Sequence, residues 1–373
     1  MRTPPRRLLV VVTRRIGDVL LATPVMRSLR RKWPDAAIDA LVFAGTEGVL
    51  VANPDLRSVI TVAERPTAGA HLRLAARLFR RYDLAISLVP SDRPTLYAWL
   101  AGRTSAGLVV DTAKHRWKQW LLTRWVSYDN ANTHTVNLYV RALEPLGVEA
   151  VREVVAAWSP QDAERAAAAL RNAGIAGRYA VLHPSPRFAY KMWTKTGWRD
   201  TGHWLAEQGI RVVLTGGPDA DEQSTVASIA QVLPGAVNLA GRLTLAETAW
   251  VISRACLYIG PDTAVTHLAA ALGTPVVALF GPTDPVKWGP WPAGFAGAGG
   301  SPWQRLGSQR AGRVALLQGV GMCVPCHLEG CARRLDSPSD CLQQLPATRV
   351  IAAAAGLLKE PPLAPTGINP HAR

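Results

Sequence analysis

The chain has 373 residues, which suggests two domains at roughly 100–200 residues each. Hydrophobic residues make up 48% and charged residues 18%, a mixture that supports a large core and excludes wholesale disorder. With 42 Lys and Arg against 27 Asp and Glu, the net charge is +15, which points to anionic partners such as nucleic acid, lipid phosphate or a nucleotide. The surplus is lopsided: residues 1–150 hold 22 basic and 12 acidic side chains, net +10, and the rest holds net +5.

Arg2, Arg6 and Arg7 precede an apolar run, but residues 8–12 fall short of the ~7–15-residue core of an export signal, and Arg14 and Arg15 follow at once. No stretch approaches the ~20 apolar residues of a membrane span. Five cysteines, four of them near the C-terminus, do not resemble a secreted disulfide scaffold. A cytoplasmic protein is expected, with peripheral contact at the inner face of the cytoplasmic membrane left open.

Short β-branched runs then alternate with helical periodicity. In the first half, strands are expected at residues 8–13, 38–43, 58–62, 84–89 and 105–110, with helices at 23–33, 71–81 and 95–101 between them. Residues 154–159 and an Ala-rich helix at 161–172 read as a bridge. A second series follows at 179–183, 211–215, 236–239, 257–259 and 275–280. Continuous apolar strands separated by helices mean parallel sheets covered on both faces. The expected fold is therefore α/β, with two doubly wound, Rossmann-like domains. The boundaries are 1–150, a linker at 151–178, 179–345, and a helix and tail at 346–373. Ligands of such sheets bind beyond the carboxyl ends of the strands, so an interdomain cleft is expected to hold the site.

The residues that could carry chemistry come just after strands. Asp18, in Arg14-Arg15-Ile16-Gly17-Asp18, follows the first; a carboxylate there can accept a proton from a hydroxyl as a general base. The plainer reading is a helix-capping aspartate paired to Arg14 or Arg15. In the second half, His183-Pro184-Ser185-Pro186-Arg187 leads to Lys191, and Arg187 and Lys191 are cations suited to a leaving diphosphate. Thr215-Gly216-Gly217 lets a ligand approach the backbone. At Asp262-Thr263-Ala264-Val265-Thr266-His267 a strand gives way to a helix whose first N–H groups suit phosphate, although Asp262 itself would repel one. Its expected partners are backbone N–H groups or sugar hydroxyls. The alternative is an ordinary capped helix with His267 packed inside.

Together these segments, with Ala278-Leu279-Phe280-Gly281-Pro282-Thr283-Asp284-Pro285 and Trp288-Gly289-Pro290-Trp291, resemble glycosyltransferase family 9, the ADP-heptose:lipopolysaccharide heptosyltransferases. The resemblance implies a GT-B fold, with an acceptor-binding N-terminal domain and a nucleotide-sugar-binding C-terminal domain. It implies inverting transfer without a required cofactor or metal, with ADP-heptose as donor and the anionic lipopolysaccharide core as acceptor. Asp18 matches the catalytic base, Lys191 the lysine that steadies the diphosphate, and Asp262, Thr263, Ala264 and His267 the donor-binding helix start. Glu247 lies near the position of a ribose-binding glutamate. Ala264 stands where the family usually has glycine, and Met192-Trp193-Thr194 lacks the usual proline. Another nucleotide sugar or glycan on the same fold is the alternative. A non-catalytic anion- or nucleic-acid-binding protein is a third reading, disfavoured because the basic residues are scattered without interleaved aromatics.

Cys323, Cys326, Cys331 and Cys341 form C-x2-C-x4-C-x9-C, a spacing that could hold a structural zinc or an iron–sulfur cluster. Reduced thiols or a disulfide are the other readings. Cys323-Val324-Pro325-Cys326-His327 also has the spacing of covalent haem attachment, which the missing export signal argues against.

Overall fold

The computed structural model describes residues 3–297 and 300–361. The expected tail beyond Pro361, and part of the Gly297-Ala298-Gly299 loop, lie outside these residues. The chain divides into two units, Met1–Val155 with Ala296–Gly300, and Ala156–Phe295 with Ser301–Arg373.

The first unit is built on six strands: β1 (Arg7–Val11), β2 (Ala37–Phe43), β3 (Ser58–Val62), β4 (Tyr82–Ser87), β5 (Gly102–Val109) and β6 (Arg124–Ser127). They run parallel in the order β3-β2-β1-β4-β5-β6. This is the doubly wound order of mononucleotide-binding folds. Leu8, Leu9, Val10 and Val11 of β1 are fully buried, as a central strand covered on both faces requires. Each such side chain contributes roughly 1.5–3 kcal/mol by leaving water.

The second unit repeats the plan with β7 (Tyr179–Leu182), β8 (Arg211–Leu214), β9 (Val237–Asn238), β10 (Leu257–Pro261), β11 (Val276–Phe280), β12 (Gln309–Ala311) and β13 (Val314–Gln318). The order is β12-β13-β11-β10-β7-β8-β9, and every pair is parallel except β12 with β13. Without β12, the order matches that of the first sheet. The expected strands are present within a few residues, whereas β6, β12 and β13 were not foreseen.

The bridge is divided between the units. The Val151 and Val155 N–H groups donate to Ser28 Oγ and Thr23 Oγ1, both at 2.8 Å, inside the first unit. The helix Pro160–Asn172 opens with a capping box between Ser159 and Asp162, and packs on the helix Leu245–Arg254 of the second unit. The final helix, Ala347–Leu358, packs on the helix Lys195–Glu207 and on β11.

One glycine shapes the strand end that carries the second candidate site. A Cβ at Gly260 would lie 2.3 Å from the phenolic oxygen of Tyr258, which is fully buried and hydrogen-bonded to Thr266 Oγ1 at 3.0 Å. Gly260→Ala is expected to lower stability by about 1–3 kcal/mol in urea unfolding. In the Tyr258→Phe background the same change should cost less, because the nearest clashing atom is gone. Additive losses in the double variant would contradict this packing.

Candidate active site

Both units place an aspartate beyond the strands where the sheet order reverses, which is where open α/β sheets bind ligands. In the first unit this is between β1 and β4. The chain leaves β1, passes Arg14 and enters the short helix Ile16–Leu21 with Asp18 buried in its first turn. Asp18 Oδ1 accepts from Arg14 Nε at 3.3 Å and from the Tyr139 hydroxyl at 3.0 Å. Burial, and then the negative Asp18, push the Tyr139 phenol well above its usual value, so it stays protonated and donates. Both contacts fall on Oδ1. Among the described residues, Oδ2 accepts no hydrogen bond. The expected pairing with Arg14 is therefore present, but Asp18 does not cap the helix: its N-cap is Arg15, which makes no side-chain cap.

In the second unit the order reverses between β7 and β10. Beyond β10, Asp262 is buried, and its Oδ2 accepts from Lys191 Nζ at 2.5 Å. His267 Nε2 lies 3.9 Å from Oδ1. Burial alone would raise the Asp262 carboxyl, but Lys191, then His267 and a hydrogen bond from Thr283, hold it below the usual carboxylate range. Among the described residues its side-chain partners are thus Lys191, Thr283 and His267, where backbone N–H groups were one expectation. Thr263 caps the helix Ala264–Ala271, its side chain accepting from the Thr266 N–H at 3.4 Å. Ala264 begins that helix and is partly exposed, while His267 is buried.

Beyond β7, His183 Nδ1 meets Thr215 Oγ1 at 3.0 Å, tying the ends of β7 and β8 together. Ser185 and Thr215 are buried, and Arg187 is exposed over the Phe188 ring at 5.8 Å. A Cβ at Gly216 would meet Val226 at 3.0 Å, and the Gly217 N–H donates to Glu222 Oε2 at 2.7 Å. These glycines serve packing and a local hydrogen bond within the unit.

Residues 71–301 match the family model for glycosyltransferase family 9 (heptosyltransferase), well over half of the chain. The chain belongs to glycosyltransferase family 9. It is 33% identical to "Lipopolysaccharide heptosyltransferase 3" of Escherichia coli over 290 residues, covering 74% of this chain and 83% of that protein. The solved family 9 glycosyltransferase from Veillonella parvula superimposes with a TM-score of 0.76 at 19% identity, covering 95% of this chain and 97% of that one. The Escherichia coli heptosyltransferase WaaC, solved with ADP, gives 0.69 at 21% identity, covering 94% and 99%. The fold is GT-B, as expected.

Other residues of this glycosyltransferase are occupied by their own unit. Glu247 closes a capping box: Thr244 N–H donates to its Oε2 at 2.7 Å and its own N–H donates to Thr244 Oγ1 at 3.2 Å. Its Oε1 accepts from Arg165 Nε at 2.5 Å. The capping signal Thr244-x-x-Glu247 was legible in the sequence. Tyr139, by contrast, carried no motif and was missed.

The expected zinc or iron–sulfur set is not assembled. Among the described residues, no three Cys, His, Asp or Glu side chains come together in a way that could hold a metal ion. Cys323, Cys326, Cys331 and Cys341 are all free thiols. The four thiols nevertheless lie within electrostatic reach of one another: burial, and then Cys326, Cys331 and Cys323, push the Cys341 thiol up to about 11. Their exposure differs. Cys341 is buried, within 3.3 Å of the place a Gly281 Cβ would take, whereas Cys323 and Cys331 are exposed, and Cys331 Sγ accepts the Asp340 N–H at 3.3 Å.

His183 sets a pH dependence. Burial pushes it down to about 4, only partly offset by its hydrogen bond with Thr215. The unfolded chain, near ~6.5, therefore takes up a proton before the native state does, so stability is full above that value and lost as pH falls toward 4. Urea unfolding should show a loss of about 3 kcal/mol from this residue across that window. His183→Gln should flatten the slope there, and an unchanged slope would contradict the assignment.

Proposed function

We propose that this glycosyltransferase moves a heptose from ADP-heptose to the lipopolysaccharide core with inversion at the anomeric carbon, using Asp18 as general base. One observation carries the reading: a buried carboxylate beyond β1 has one oxygen held by Arg14 and Tyr139, while the other accepts no hydrogen bond among the described residues. Two donors on Oδ1 fix the carboxylate in place, and Oδ2 is left to receive the acceptor hydroxyl's proton. The relatives' activities support the donor and acceptor: curated relatives are named lipopolysaccharide heptosyltransferases, and solved neighbours hold ADP or ADP-2-deoxy-2-fluoro heptose. The net +10 of residues 1–150 suits an anionic acceptor.

In the proposed step the acceptor oxygen forms its bond to the anomeric carbon as the bond to the diphosphate breaks, and the acceptor's proton passes to Asp18. The departing ADP gathers negative charge, which Lys191 and the first-turn N–H groups of the helix Ala264–Ala271 neutralise. Asp262 acts on that phosphate through Lys191, holding its ammonium at the turn. It is a positioning residue. The reading requires the acceptor hydroxyl at Asp18 and a donor at the Asp262 turn to meet on one sugar.

Asp18→Asn keeps the shape but removes the base. It should retain ADP-heptose binding by calorimetry and lose about 10²–10⁴-fold in transfer. Transfer near the wild-type rate would remove Asp18 from this role. Because Lys191 and the helix carry the leaving-group charge in this scheme, transfer should also persist at an unchanged rate in excess chelator. A loss restored by added divalent cation would transfer that duty to a metal.

A further inference from the structure

We propose that the outer face formed by the helices Asp92–Ala101 and Arg116–Leu121, with strand β6, docks on an anionic lipid bilayer. The topology brings these elements together. Strands β4, β5 and β6 are consecutive neighbours, so the two right-handed crossovers lay both helices on the same side of the sheet. The helices touch, and Lys118, fully buried, locks them: its Nζ lies 2.7 Å from Asp92 Oδ1 and donates to the Pro90 carbonyl at 2.5 Å.

That lock decides what faces outward. With Lys118 turned in, its ammonium 5.5 Å from the centroid of the Trp117 ring, Trp117 stays 37% exposed and Trp120 81%. Leu96 and Trp99, three apart on the first helix, and Trp125 on the edge strand add further apolar surface, each between 38% and 43% exposed. Four exposed tryptophans within 27 residues are not explained by core packing. Tryptophan has an apolar body and a polar N–H, the combination that settles at the boundary between water and acyl chains.

Charge identifies the occupant. Arg103, Lys114, Arg116 and Arg124, within a few residues of these tryptophans along the chain, are exposed, and among the described residues none of them is in an ion pair with an acidic side chain, although Arg124 donates to the Pro145 carbonyl at 2.7 Å. Residues 90–127 hold two acidic side chains; Asp92 is bound to Lys118, and Asp111 accepts a hydrogen bond from Gln119 at 3.4 Å. Exposed aromatics bordered by unpaired cations match an anionic bilayer, where each basic residue near the surface adds about 1 kcal/mol of attraction. A second copy of the same face would bring like charges together. Docking gives the lipid-linked acceptor of the proposed reaction a surface-bound enzyme; in that respect alone the inference rests on the functional reading.

The test uses the full chain, without donor or acceptor, and vesicles of phosphatidylcholine with about one-third phosphatidylglycerol or of phosphatidylcholine alone. Flotation should show binding to the anionic vesicles with a blue shift of tryptophan emission, and about tenfold or weaker binding to neutral ones. Trp117→Ala/Trp120→Ala should lose about tenfold or more in partitioning, and Lys114→Glu/Arg116→Glu should lose a similar factor at low salt that shrinks at high salt. Equal partitioning of the tryptophan variant and the wild type, at matched melting temperature, would overturn the proposal. So would absence of binding to either vesicle, or a dimer in solution that the tryptophan variant dissolves. Because no sugar transfer is measured, failure here leaves the Asp18 test standing, and failure of that test leaves this one.

Discussion

A carboxylate taken out of water persists as an anion only where protons or positive charge are aimed at it. Each unit meets this constraint beyond the central strands of its sheet. Asp18 is held by a phenol that burial keeps protonated and by an arginine; Asp262 is held by Lys191 with His267 nearby. In the first unit the donors crowd onto one oxygen and leave the other available. In the second the carboxylate is spent on the lysine, so the pair presents an oriented cation. The same strand order thus yields two differently held aspartates, to which the proposed reaction gives different duties.

The parts of this arrangement visible in sequence are those that depend on neighbours along the chain. β1 and β10 carry apolar runs and β3 is rich in β-branched residues, and Asp18 and Asp262 stand out because each closely follows an apolar strand. What holds those aspartates was not visible: Tyr139 lies 121 residues from Asp18, and Lys191 lies 71 from Asp262. Neither pairing has a local signal: Lys191 reads as a cation for phosphate rather than a partner of Asp262, and Tyr139 sits in an apolar helix that reads as core. β6 and β12 were missed because they are short and polar at edges, where burial imposes no hydrophobic pattern. β13 was missed although Val314–Gln318 is apolar, because it follows a Gly- and Pro-rich loop. Glu247 shows the reverse: its four-residue capping signal, Thr244-x-x-Glu247, is local and legible, and it was not read.

Cysteine spacing shows the limit of reading chemistry from intervals alone. The intervals allow four thiolates to converge, and Cys323, Cys326 and Cys331 do act on the Cys341 thiol, but Cys341 is buried beside Gly281 while Cys323 and Cys331 are exposed, and among the described residues no three form a set that could hold a metal. In burial Cys341 behaves as a small apolar residue, Cys323 and Cys331 as surface thiols, and Cys326 lies between.

The margins of the second sheet have a consequence for the protein's life in a crowded cell. One flank is the antiparallel β12, three residues long, and the other is β9, two residues long. A foreign strand seeking an open ladder finds only a few backbone groups on either side before the chain turns away, too short a template for polymer growth. The parallel interior, which would be adhesive if left bare, is thus fenced off by its own smallest pieces.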